Sequence, residues 1–456
     1  MYLPCSDMFT LASQAIAALD SRRNRLRLYA FITFVFFVLA WIAVLVRAVA
    51  MDREVNVIIS DGRYYYVYLP SLVVDGDLDF SNQIREHWET EWNPALLLDR
   101  TERGLVRNQY PVGLALTLFP SFLAAHAATK ALAFGGGAPL APDGYSLLYQ
   151  LAATATVMAL GLASMAMIDS LVVRRFHVSP RAAAAAIVAY WIGTPFAYYF
   201  FREPLMVHVV SAFWVASVLS VGLAMTDGVR WWHPVALTLA ISMAVVCRPS
   251  NVFIAPFLVY VTVELRRRRL LADVIRFLPL ATFGLVPLFL QLLTWRLLSG
   301  HWLNYGYRES FRWSKPMLLQ TLVSPRHGLF VWSPLLVLAA GGAAWATFRR
   351  GEIRGEIRGE IRDGLWLSLL LSGAILWYVN SAWEIWWFGD AFGARAFLEL
   401  SFLFILGLAL CFDHVRTSAY RLRRLVTGWA LASIVYNLTL MALYIAEVIS
   451  RDGPLF

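Results

Sequence analysis

The sequence predicts an all-α polytopic membrane protein, and three observations predict it. Hydrophobic residues fill 59% of the 456 positions, mean hydropathy is +0.60, and runs of about twenty apolar residues recur from one end to the other. No globular core absorbs that fraction, and across a bilayer only a helix or closed barrel satisfies its own backbone. The chain, 1–456, reads as a single integral membrane domain. It has about eleven transmembrane helices, with juxtamembrane helices in its first outer loop.

The first span covers 28–49. Arg22, Arg23, Arg25 and Arg27 precede it and keep the N-terminus in the cytoplasm, because basic residues flanking a span stay inside. The run is too long for a signal-peptide core and lacks a small-residue cleavage site. Further spans fall at 145–168, 182–201, 205–225, 233–248, 250–265, 276–298, 328–348, 365–380, 394–412 and 425–447. Basic clusters around Arg174 and Arg181, at 266–269, at Arg349-Arg350 and at 421–424 are expected in the cytoplasm. The segment 111–134 is long enough to cross but carries Pro120, His126 and Lys130. If it crossed, the Arg174 cluster would lie outside, so an interfacial or re-entrant helix is expected. The outer surface then comprises the first loop (50–144), the turn Arg202-Glu203-Pro204, loops 299–327 and 381–393, and the C-terminus. A bacterial inner membrane is the expected location.

Net charge is +9, yet Lys130 and Lys315 are the two lysines among 39 basic residues. The Arg and Ala bias fits a GC-rich genome, so a single arginine signals little, and no nucleic-acid partner is expected. Cys5, Cys247 and Cys411 make no disulfide framework. The tandem Gly351-Glu352-Ile353-Arg354, repeated through Arg362, reads as a solvated cytoplasmic spacer.

The first outer loop carries the chemistry. Ser60-Asp61-Gly62-Arg63-Tyr64-Tyr65-Tyr66 sets a carboxylate at the membrane–water boundary, where an ionisable group is costly. An Asp ahead of a helix also serves as an N-cap, and tyrosines at a boundary also form an aromatic belt. Asp75, Asp77 and Asp79 echo a calcium loop, but Phe80 stands where the turn needs glycine. A solvated turn is expected there rather than a divalent-cation site, and no metal or cofactor is expected elsewhere. Arg107, Arg326 and Arg395 lie on the face where positive residues should be sparse, near Tyr110 and the run Trp383-Glu384-Ile385-Trp386-Trp387. Arginine forks and aromatic faces suit an anionic, sugar-bearing ligand. Salt-bridged loop packing accounts equally well for any one of them.

The order Asp61, then Tyr64-Tyr65-Tyr66, then Asp75-Gly76-Asp77-Leu78, then Gln109-Tyr110-Pro111 resembles the GT-C superfamily of polyprenyl-phosphate-dependent membrane glycosyltransferases. Protein O-mannosyltransferases and the aminoarabinose transferase belong to that class, and this chain resembles a divergent bacterial member. The resemblance extends over the whole chain in topology and is confined mainly to 60–120 in residues. It implies inverting transfer of a sugar from a polyprenyl-phosphate donor in the membrane to a glycan, lipid or protein acceptor. Asp61 would be the general base, with Arg107, Arg326 and Arg395 holding the donor phosphate. Tyr64, Tyr65, Tyr110, His208, Trp383, Glu384 and Trp387 would bind substrate. Two positions depart from the pattern: the family's second acid is Gly62, and the lysine of its Pro-rich segment is Gln109.

Two other readings stand beside the enzyme. A flippase for a lipid-linked glycan would carry charges through the middle of several spans and internal repeats. No clear repeat is present, and charges gather at span ends. A non-catalytic envelope subunit would tolerate the loss of Asp61.

Overall fold

The computed structural model describes residues 17–51, 55–88, 95–134, 141–304, 306–348 and 359–455. Cys5, Arg349-Arg350 and most of the Gly-Glu-Ile-Arg repeat lie outside them. Among the described residues the regular structure is helical. The β-pairing there consists of two isolated bridges, Arg100 with Val106 and Phe311 with Trp383.

Fifteen of the helices position the site. They are α1 (Arg22–Met51), α2 (Gly62–Tyr66), α3 (Gly113–Phe134), α4 (Leu147–Arg175), α5 (Pro180–Gly193), α6 (Phe196–Phe201), α7 (His208–Asp227) and α8 (Trp232–Cys247). After them come α9 (Ala255–Arg267), α10 (Leu271–Ala281), α11 (Val286–Ser299), α12 (Leu335–Phe348), α13 (Gly359–Ala382), α14 (Ser401–Arg416) and α15 (Tyr420–Ile445). Seven segments among the described residues are long and apolar enough to cross a bilayer: Arg22–Ala50, Leu147–Arg175, His208–Asp227, Leu271–Ser299, Asp363–Ala382, Arg395–Arg416 and Tyr420–Ile445. This is consistent with a polytopic membrane protein.

The other four expected spans form shorter or broken helices, and proline is the cause in three. Thr194 is extended (φ −138°) before Pro195 and splits the 182–201 run into α5 and α6. Arg248 is extended (φ −148°) before Pro249, which ends α8 and opens a 3-10 turn. Ser333 (φ −138°) before Pro334 divides the short helix Leu329–Trp332 from α12. A residue preceding proline is pushed out of the helical region, and proline itself has no N–H to give. The 111–134 segment forms α3, with Pro120 inside it, and is not one of the seven.

Small residues let the helices approach. A Cβ added at Gly342 would overlap the carbonyl oxygen of Gly407, and one at Gly407 would overlap that of Ala339, so α12 and α14 cross backbone against backbone. Arg25, one of the four arginines before the first span, is 3% exposed. It lies buried against α4, where Nε and Nη2 pair with the two Asp169 oxygens at 2.8 and 2.9 Å and Tyr29 donates to Oδ1 at 2.9 Å. That fully bonded pair fixes α1 against α4.

Candidate active site

Chain direction gathers the site at one end of the bundle. Arg248 after α8 and Trp383 after α13 meet His208 at the start of α7 and Arg395 at the start of the segment entering α14. Between them lies a cavity of about 180 Å³, roughly six water volumes.

Asp61 opens on it. The preceding Ser60 is left-handed (φ +53°), which is uncommon without a glycine. Asp61 makes no capping hydrogen bond to α2, so the N-cap alternative does not describe its side chain. Instead Oδ2 lies 3.1 Å from Nη2 of Arg395. Their side chains remain 24% and 15% exposed, so the pair faces the cavity instead of being sealed in the core. At Gly62, where the resemblance implies a second acid, a Cβ would come within 3.2–3.3 Å of Leu205, a tight approach that Leu205 would have to relieve by a few tenths of an ångström.

Arg395 starts the 3-10 turn Arg395–Leu400 just after the left-handed Gly393 (φ +63°). Its Nη1 is buried with no hydrogen-bond partner among the described residues. Arg248, turned aside by Pro249, supplies a second guanidinium. Its Nη1 donates to both Glu399 oxygens at 3.1 and 3.2 Å, and His208 Nδ1 lies 3.0 Å from Glu399 Oε1. Arg248 Nη1 also lies 3.0 Å from His208 Nδ1, so that nitrogen donates to Glu399 in one tautomer and accepts from Arg248 in the other. Glu399 is 1% exposed beneath them and fixes the cation that reaches the cavity.

Aromatic rings form one wall. Tyr110 stacks on Tyr64 at 5.0 Å and meets Tyr65 edge-on at 4.8 Å and Tyr307 at 5.9 Å. Burial pushes the Tyr307 phenol up to about 12 and raises Tyr65 and Tyr110 well above the usual range. These phenols stay protonated, so none serves as a base. Tyr65, Tyr66 and Tyr68 are buried in the protein, and Tyr66 and Tyr68 donate to the carbonyls of Gly144 and Tyr110 at 2.7 Å, so they are no aromatic belt.

Of the residues singled out in the sequence, Asp61, Tyr65, Tyr110, His208, Trp383 and Arg395 line this cavity. The structure does not bring the others to it. Arg107 pairs with Asp99 at 3.2 Å in a neighbouring small cleft that Tyr64 also lines. Arg326 bonds Asp452 at 3.1 Å and lies 3.8 Å over the Trp387 ring, whose Nε1 donates to Asp452 at 2.6 Å. Those three side chains clasp the 381–393 loop. Glu384 accepts from Ser310 N and Oγ at 3.1 and 2.9 Å, bonds that hold its carboxyl below the usual range. Asp75, Asp77 and Asp79 spend their oxygens on Asn82, Gln83, Ser71 and Ser81, which describes a hydrogen-bonded turn. No group of three His, Cys, Asp or Glu side chains is placed to hold a metal among the described residues.

The sequence reading left Arg248, Glu399, Tyr307 and Glu309 without a role. Glu399 had a signal, a lone acid inside an apolar span. Comparison with protein-family models, curated proteins and solved structures finds no match to this chain. Function is therefore argued from the chemistry of the cavity.

Proposed function

We propose that the chain is an inverting membrane glycosyltransferase that moves a sugar from a polyprenyl-phosphate donor to a glycan, lipid or protein acceptor. One observation carries the reading: on the lining of the cavity, a carboxylate with no capping duty is paired to one nitrogen of a guanidinium whose other terminal nitrogen is left unbonded.

Asp61 takes the proton of the acceptor hydroxyl as that oxygen attacks the anomeric carbon. The bond from carbon to phosphate oxygen breaks, and its electron pair leaves with the polyprenyl phosphate. That leaving group needs positive charge rather than a proton, which favours cations over a general acid. Arg395 Nη1 and Arg248 fill that role in place of Arg107 and Arg326, which do not line the cavity. A fork that holds the base on one arm and the phosphate on the other couples donor binding to the position of Asp61.

The proposed setting has about eleven spans, counting the four shorter or broken runs, in a bacterial inner membrane with the N-terminus cytoplasmic. Segment 113–134 lies at the interface, and the cavity is on the extracytoplasmic face. The seven long apolar helices and the basic clusters at the opposite loops support this arrangement. The test is transfer of labelled sugar from polyprenyl-phosphate donors by the purified chain in nanodiscs. Activity in wild type and none in Asp61→Asn is expected; full activity in the variant sinks the reading.

A further inference from the structure

Two residues lining the cavity carry a buried charged atom with no partner among the described residues: Arg395 Nη1, a donor, and Glu309 Oε2, an acceptor. They are opposite in character and are not bonded to each other. A single ligand that satisfies both must offer acceptor atoms at one end and donor groups at the other.

Glu309 precedes a short backbone pairing: Phe311 bridges to Trp383, Arg312 N donates to Ala382 O at 2.6 Å, and Glu384 N donates to Ser310 O at 3.0 Å. Tyr307 and Glu309 line the cavity, while Arg308 turns to Asp99 at 2.7 Å and Ser310 to Glu384 at 2.9 Å. The outward pair braces the segment, and Gly306 seats it against Gln109, where a Cβ would approach the backbone to 2.7 Å. Position 62 is a glycine packed tightly against Leu205 and offers no second carboxylate. Glu309 supplies one from a distant loop.

We infer that Glu309 is the sugar-recognition residue of the donor subsite, accepting hydrogen bonds from hydroxyls of the transferred sugar while the phosphate lies on Arg395. A phosphate offers acceptors and a sugar ring offers donors, the complementary set these two atoms lack. Hydrogen bonds to an ionised carboxylate are about twice as strong as neutral ones, so the contact is worth a measurable share of donor affinity.

This inference rests on the proposed glycosyl transfer, and binding measurements separate the two. The full-length chain in nanodiscs is titrated with bare polyprenyl phosphate and with a panel of hexose- and pentose-bearing polyprenyl phosphates. Wild type is expected to bind at least one sugar-bearing lipid about tenfold or more tighter than the bare lipid. Glu309→Gln should bind the bare lipid as wild type does and lose the preference, and Glu309→Asp should recover part of it. A Glu309→Gln protein that keeps the full preference overturns the assignment, as does a wild type that binds bare and sugar-bearing lipids alike. Failure of wild type to bind any of these lipids overturns the transferase reading, and this inference with it.

Discussion

Asp61 Oδ2 stands 3.1 Å from Arg395 Nη2, joining the loop after the first helix to the start of the segment that leads into α14. The pair gives each partner a constraint: the carboxylate is held at the cavity mouth, and the guanidinium is oriented with its second arm free.

Arg395→Lys keeps the charge but removes the fork. A lysine ammonium is a point charge that cannot address a carboxylate and a phosphate with two parallel arms. The expected result is a loss of about 100-fold in kcat at saturating donor. A rate within threefold of wild type would mean that charge alone is sufficient.

Glu399→Ala removes the acceptor shared by Arg248 and His208 and leaves a cation buried without its counter-charge. Breaking a buried pair from one side costs about 3–5 kcal/mol. Unfolding of the variant in mixed micelles should show a loss of that order. A change below about 1 kcal/mol would mean that Arg248 finds another partner.

Glu203→Gln tests burial through pH. Burial raises the Glu203 carboxyl above its ordinary value, and Tyr198 OH donates to it at 2.8 Å. A carboxyl raised in the folded state contributes stability below its unfolded pKa, and that contribution fades as pH climbs through the folded value. Glutamine keeps the acceptor and never ionises. The variant should melt with wild type near pH 4 and above it at pH 8, by thermal denaturation of the purified protein. A lower melting temperature at pH 8 would show that the ionised form is needed.

Gly407→Val places side-chain atoms where the Ala339 carbonyl now sits. Since α12 and α14 meet there backbone to backbone, the variant should lose several kcal/mol or fail to assemble, whereas Gly428→Val, with no atom near its Cβ, should be tolerated. Monodispersity and melting of the two proteins compare them directly.

Much of the architecture was legible because apolar length is a one-dimensional signal: all seven long segments coincide with expected spans. Asp61, His208 and Arg395 were legible because each stands at a span end on the same face of the topology. Arg107 and Arg326 misled because a charge reads the same whether free or neutralised, and Asp99 and Asp452 neutralise them in space. Arg248 was obscured by its place at the end of an apolar run, where only the extended backbone before Pro249 reveals its aim. Glu309 depended on residues 310–312 pairing with 382–384, a contact between distant loops that local periodicity does not encode.

Sugar transfer by purified wild type and Asp61→Asn, measured beside donor-lipid binding on the same preparations, decides whether Asp61 is the base. The variant should bind the donor within a few-fold of wild type and transfer at least about 100-fold more slowly. A variant that binds and transfers like wild type would remove Asp61 from the chemistry and contradict the mechanism.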